Sequence, residues 1–419
     1  MTSSEARNPN PEGRAARGND PDAATLPICL RDLRDLLHRH LMQHVMPFWL
    51  EHSGDDAGGI NTCLDDEGRL ISRDKWMWSQ WRAVWVFSHL YDSFGHESVW
   101  LDLADHVMSF CIRHGWLESE QAWAFRLDAS GAVIDGYESI SVDAFAIYGL
   151  NAYYQVTGSD AASRWARRTA DALISRLQRP HDQLPHAPYP VPDGARMHGI
   201  PMICSLVLWE LGQSLGEDRY REAAVGLSQE VFAHFYDPAR DVVLERIGAD
   251  GKELPPPLGS TVVPGHVIED MWFQAHIAGE RSDTVTLGQC WPLIRRHLEL
   301  GWDAEHGGLL LAIDADGRAD VGWRHPDAKL WWPHTEALYA LLLAYEHSRQ
   351  PWCLDWYERI HDYAFNHFPH PAGDWRQKLN RQGQPLEEVV ALPVKDPFHL
   401  PRALMLSVGA LDRMLKDES

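Results

Sequence analysis

Five short runs carry side chains able to move protons or grip an oxygen-rich ligand. In Val263-Pro264-Gly265-His266-Val267-Ile268-Glu269, a histidine opens an apolar run and a carboxylate follows one helical turn later on the same face. In Lys395-Asp396-Pro397-Phe398-His399-Leu400-Pro401-Arg402, a histidine stands two residues before a proline suited to the first turn of a helix. Lys329-Leu330-Trp331-Trp332-Pro333-His334-Thr335-Glu336 sets two adjacent indoles ahead of a glutamate. Trp78-Ser79-Gln80-Trp81-Arg82 places an arginine on an otherwise apolar stretch, and a buried guanidinium needs an oxygen partner. Arg196-Met197-His198 is the fifth. Histidine titrates near neutrality, so it can both take and return a proton. The electron-rich face of an indole suits the weakly positive C–H face of a sugar ring. Singly, each run reads as well as a helix cap or a packed polar residue.

Their positions relate them. Apolar helical stretches begin near Lys75, Val142, His198, His266, Trp332 and Pro401, a long-period repeat. Stop signals follow at Gly158, Gly216 and Gly279. Between them lie more amphipathic helices, including 30–51, 161–176, 219–235, 283–300 and 353–367, each with a charged side for solvent. The segments TCLDDEGRLIS, AFRLDASGAVID, LERIGADGKEL, LLAIDADGRAD and WRQKLNRQGQPL read as β-hairpins. The unit is outer helix, hairpin, inner helix, repeated about six times. Closed into a ring, it makes an all-α (α/α)6 barrel with short hairpins at one mouth. The chemistry-bearing runs sit at the starts of inner helices, so that mouth gathers His, Arg, Glu and Trp. Helix N-termini there favour oxyanions.

Composition narrows the ligand. The net charge of -22 argues against nucleic acid and anionic membranes. A neutral substrate is the default, although a local basic pocket could still hold an anion. No apolar run approaches the roughly 20 residues of a membrane span. Six cysteines without a CxxC pair read as reduced thiols, which fits a cytoplasmic protein. Nineteen tryptophans exceed what packing alone asks for, and some are expected to line the site. Residues 1–25 are polar, lack a secretory h-region and read as a disordered tail. No linker composition divides 26–419, which reads as one barrel domain. Neither an HExxH pair nor a GxxxxGK[ST] loop occurs, so no metal, cofactor or nucleotide loop of those kinds is expected.

The runs GGINTCLDDEG, VPGHVIEDMWF, KLWWPHTEALYALLLAYE, WRQKLNRQG and KDPFHLPRAL closely resemble the N-acylglucosamine 2-epimerase family. Its superfamily also holds cellobiose 2-epimerases and mannose isomerases. The resemblance runs from about residue 30 to the C-terminus and implies the same (α/α)6 barrel. It implies that His266 and His399 are the catalytic histidines and Arg82 the essential arginine. Glu269 and Glu336 would support the histidines and substrate, with Glu269 orienting His266. Trp332 would stack on the sugar, with His198, Trp331, Arg402 and Trp78 as further binding residues. Two departures stand out: Asp396 where the family usually has a small residue, and WRQKLNRQG in place of an aromatic-rich hairpin. Homodimers are common in the family, and these residues neither support nor oppose one.

The chemistry implied is proton transfer at C2 of an open-chain aldose through an enediolate. Two histidines would act on opposite faces and Arg82 would stabilise the oxyanion. Return of the proton to C2 gives the epimer, and its delivery to C1 gives a ketose. The substrate would be an N-acylglucosamine/N-acylmannosamine pair or a related aldose such as mannose or cellobiose. The rival readings are an inverting glycoside hydrolase using Glu269 and Glu336, and a sugar-binding protein without turnover.

Overall fold

The computed structural model describes residues 29–417, so the expected tail at 1–25 lies outside the described residues. Helix α1 (Leu30–His40) passes through a π-helical turn (Leu41–Val45) into α2 (Met46–His52). There follow α3 (Met77–Ser93), α4 (Ser98–His114), α5 (Ile140–Thr157), α6 (Asp160–Arg176), α7 (Gly199–Leu215) and α8 (Asp218–Glu230). The chain ends with α9 (Pro264–Glu280), α10 (Thr284–Gly301), α11 (Trp331–Ser348), α12 (Pro351–His367) and α13 (His399–Asp417). The inner helices α3, α5, α7, α9, α11 and α13 pack each against the next, and α13 returns to α3. This is the (α/α)6 ring expected from the repeat, and no inner helix begins more than two residues from its expected start.

The two rings bury differently for a sequence reason. On α11 every residue from Pro333 to Ala344 is buried, because both the bore and the outer helices cover it. On α6 burial recurs at Ala162, Ala166, Thr169, Ala170 and Leu173, the single stripe of a helix with one wet face. Gly158 and Gly216 end their helices in the left-handed conformation, which glycine adopts without a Cβ penalty. Gly279 does not: α9 runs on to Glu280, and the left-handed turn falls at Ser282 instead. The outer helix α4 had no place among the expected elements. All six cysteines are free and five are buried. No helix among the described residues is long and apolar enough to cross a membrane.

Three of the five expected hairpins pair with themselves, Cys63–Leu64 with Leu70–Ser72, Arg126–Leu127 with Val133–Asp135, and Leu379 with Pro385. The last of these and the remaining two are recruited by the strand that leads into the preceding inner helix. Arg246–Gly248 pairs with Ala195–Met197, Ile313–Asp314 with Thr261–Val262, and Lys378–Leu379 with Lys329–Leu330. Arg126–Leu127 also takes Lys75–Trp76 on its other edge. Each entry strand is thus stitched to the turn of the next repeat, so the inner-helix N-termini are held in register around the mouth. The seam closes where Lys395 N–H donates to the Thr62 carbonyl at 2.7 Å. At the outer surface, Arg34 of α1 pairs with Asp412 of α13 at 2.9 Å.

Candidate active site

His266 stands in the first turn of α9 and His399 opens α13. Trp332, on α11 between them, lies close to both rings, 5.2 Å from His266 and 5.7 Å from His399 between centroids. Gly265 makes this possible: a Cβ there would sit 2.7 Å from the Trp332 ring and 2.8 Å from Pro333. Gly265→Val is therefore expected to displace the indole. A tenfold or greater loss of kcat/KM, of order 1.4 kcal/mol, is expected with modest change in Tm. Steady-state kinetics beside a melting curve would check it.

Each histidine is held by a buried carboxylate through Nδ1, which leaves Nε2 as the reactive nitrogen. His399 Nδ1–H donates to Glu336 at 2.7 Å. Glu336 also accepts from Trp272 Nε1–H at 3.0 Å and from Arg402 at 2.7 Å. His266 Nδ1–H donates to Glu245 at 2.9 Å. The expected partner of His266 was Glu269, but Glu269 is bound to Arg402 instead. Glu245 enters from Leu244-Glu245-Arg246, beside the recruited strand. Nothing in a hairpin-like run announces a histidine partner 21 residues downstream.

The two imidazoles differ electrostatically. Burial, with the Arg82 guanidinium next in effect, pushes His399 down to about 3. Burial opposes the charged form of His266 as well, but Glu245, with Glu269 and Asp270, outweighs it and holds His266 above the usual histidine value. Burial pushes Glu336 up, partly offset by Arg402. Near neutrality the pair is therefore one neutral imidazole and one that favours its proton.

Arg402, expected among the ligand contacts, is fully buried, and its Nε and Nη1 have no hydrogen-bond partner. Its Nη2 bridges Glu269 and Glu336 and lies 3.4 Å from His399 Nδ1, while its plane faces Phe398 and Trp272. Donor atoms of Glu269, Glu336 and His399 lie within 4.8 Å of one another, close enough to hold a cation. The guanidinium already supplies that cation. Arg82 lies between the rings of Trp78 and Phe145, at 4.7 and 3.9 Å, and pairs with Asp396 at 3.3 Å. Asp396, the departure noted in the sequence, keeps Oδ1 unpaired and receives the His399 backbone N–H at 3.4 Å. Trp331 sits edge-on to His399, 5.9 Å away.

His198 was expected among the ligand contacts. It is fully buried, and its Nε2 meets Asp270 at 2.7 Å. Asp270 in turn accepts from Gln274 at 2.7 Å. His198 thus braces α9 through Asp270, and its Nδ1 has no hydrogen-bond partner. Trp272 and Asp270 were not singled out, because inside an apolar helix they look like any other core position.

A helical toroid with two carboxylate-anchored histidines at its mouth places this protein among the (α/α)6-barrel isomerases. More narrowly, the chain belongs to the N-acylglucosamine 2-epimerase family, whose model matches residues 58–403. It is 31% identical over 397 residues to N-acylglucosamine 2-epimerase of Mus musculus, covering 90% of this chain and 91% of that protein. In fold it is similar to cellobiose 2-epimerase from Spirochaeta thermophila, with TM-score 0.79 and 22% identity over 92% of this chain and 98% of that one. It is similar also to a D-mannose isomerase, with TM-score 0.75 and 18% identity over 91% and 98%.

Proposed function

We propose that the protein is a sugar 2-epimerase that moves the C2 proton of an open-chain aldose between His399 and His266. The observation that carries this reading is the pair of histidines on one indole, each anchored through Nδ1 and oppositely poised. His399, neutral, takes the C2 proton on Nε2. His266, protonated, returns one to C2 from the other side, and the two then re-equilibrate. Trp332 stacks on the sugar between them, and Arg82 steadies the enediolate oxygen. A histidine also assists ring opening, since the cyclic form has no acidic C2 proton. N-acylmannosamine and N-acylglucosamine are the first substrates to test, as in the mammalian relatives, followed by mannose and cellobiose. Delivery of the proton to C1, giving a ketose, is the alternative outcome of the same intermediate.

The inverting-hydrolase reading loses support from the geometry. Such enzymes hold two carboxyls about 6.5–9.5 Å apart to admit water. Here Glu269 and Glu336 share one arginine nitrogen, and their nearest oxygens lie within 4.8 Å.

Proton NMR in D2O, with each sugar in a separate tube, tests the proposal. Deuterium at C2 together with a new anomeric signal is expected for at least one of them. No exchange in any tube, or release of new reducing ends from cellobiose, would overturn it.

The pH dependence follows from the same pair. Working turnover needs His266 protonated, so kcat/KM should fall as pH rises through its raised pKa. The acid limb from His399 lies far below neutrality. Glu245→Gln removes the carboxylate that raises His266, so the alkaline limb should move to lower pH. A pH–rate profile of the variant checks this, and an unmoved limb would count against the assignment.

A further inference from the structure

We infer that Arg246 is the docking point for an oxyanion carried by the sugar, so that the preferred substrate is an acidic aldose. The inference rests on the proposed function, because it adds a substituent to the sugar that the same bowl accepts.

The observation is an unpaired charge. Arg82 pairs with Asp396, Arg402 with Glu269 and Glu336, and the buried Arg176 with Asp143. Arg246 is 7% exposed, yet no carboxylate among the described residues lies within ion-pair distance of it. Its Nε and Nη1 are buried without any hydrogen-bond partner. The adjacent Glu245 attracts the guanidinium but gives it no hydrogen bond, because its carboxylate is bound to His266. A guanidinium withdrawn from water without a hydrogen-bonded anion is costly, and such groups are ordinarily paired. A ligand that completes the pair would remove that cost.

The surroundings suit an arriving anion. Arg246 lies 4.8 Å over the Trp323 ring, a stacking contact that orients the fork and satisfies none of its N–H groups. Trp323 stands 5.0 Å from Tyr189 and packs on the cluster that includes Trp331 and Trp332. Arg246 is therefore at the rim of the bowl that holds His266, walled by aromatic faces from two loops. A planar, pre-oriented guanidinium is the side chain best matched to a carboxylate or phosphate.

The test compares matched sugars. C2 exchange is measured for N-acetylmannosamine and its 6-phosphate, and for glucose and glucuronate, in the wild type, R246Q and R246K. The wild type is expected to prefer the charged member by about tenfold or more in kcat/KM. R246Q should bring that ratio close to one, and R246K should restore part of it. A ratio favours the inference over simple damage to the neighbouring Glu245–His266 pair, which would slow both members alike. A wild-type preference for the neutral sugars, or a ratio unmoved by R246Q, overturns the inference. So does Arg246-dependent stimulation of neutral-sugar turnover by free inorganic phosphate, which would make the anion a separate effector. Should no sugar exchange at all, the proposed function fails on its own account. Calorimetric binding of N-acetylmannosamine 6-phosphate, lost in R246Q, would then still uphold the arginine site, and absence of binding would overturn it.

Discussion

His399→Gln is expected to lower kcat by about three to four orders of magnitude, with KM changed by no more than a few-fold. Glutamine keeps a donor for Glu336, so the carboxylate that binds Arg402 and Trp272 stays satisfied and the fold is spared. What is lost is the one nitrogen that can accept the C2 proton. Conversion of either epimer into the other should disappear, because each direction needs both histidines, and any remaining deuterium wash-in should be confined to the epimer whose C2 proton faces His266. The double variant with His266→Gln should be scarcely worse than either single one, since groups acting as a unit are not additive. Retention of a tenth of the wild-type epimerisation rate would remove His399 from the chemistry.

The largest effect on stability belongs to Arg402→Met. Methionine fills much of the volume and restores contact with Trp272 and Phe398. It leaves Glu269 and Glu336 buried without their shared cation, a loss of about 3–5 kcal/mol. Without the cation that offsets its burial, the Glu336 carboxyl is pushed further upward in the folded state. A group whose folded pKa lies above its unfolded value favours folding at low pH and loses that contribution as pH rises through the folded pKa. The deficit should therefore be largest near neutrality and should shrink toward pH 5. Denaturant midpoints at two pH values measure it, and equal deficits at both would show that the pair is not the source. Exchange activity should also collapse, because Glu336 anchors His399.

The inner ring was legible because each of its helices is apolar on all sides and recurs at a nearly constant interval. The histidines and Trp332 were legible as residues at equivalent points of that repeat. The register of the mouth was not. Glycine-rich turns announce hairpins, but whether Ile313–Asp314 pairs locally or with Thr261–Val262 depends on a partner some fifty residues away. The same limit hid Glu245, whose identity as the anchor of His266 is a long-range fact. His198 shows the converse error. A histidine at the start of an inner helix looked like the others, yet its ring is fully buried against Asp270 of the next inner helix. Arg402 was recognised by motif, but sequence spacing cannot show that one nitrogen of its fork bridges two carboxylates.

The last nineteen described residues, α13, bring His399, Arg402 and the Arg34–Asp412 contact together. During synthesis, the ring stays open and its mouth lacks one of the two histidines until this segment has left the ribosome. Every earlier product of translation is an unclosed arc with exposed inner-helix surface, the kind of species that chaperones protect. Premature termination anywhere before residue 399 yields a chain that can neither close nor turn over. Quality control and catalytic competence are thus gated by the same final helix.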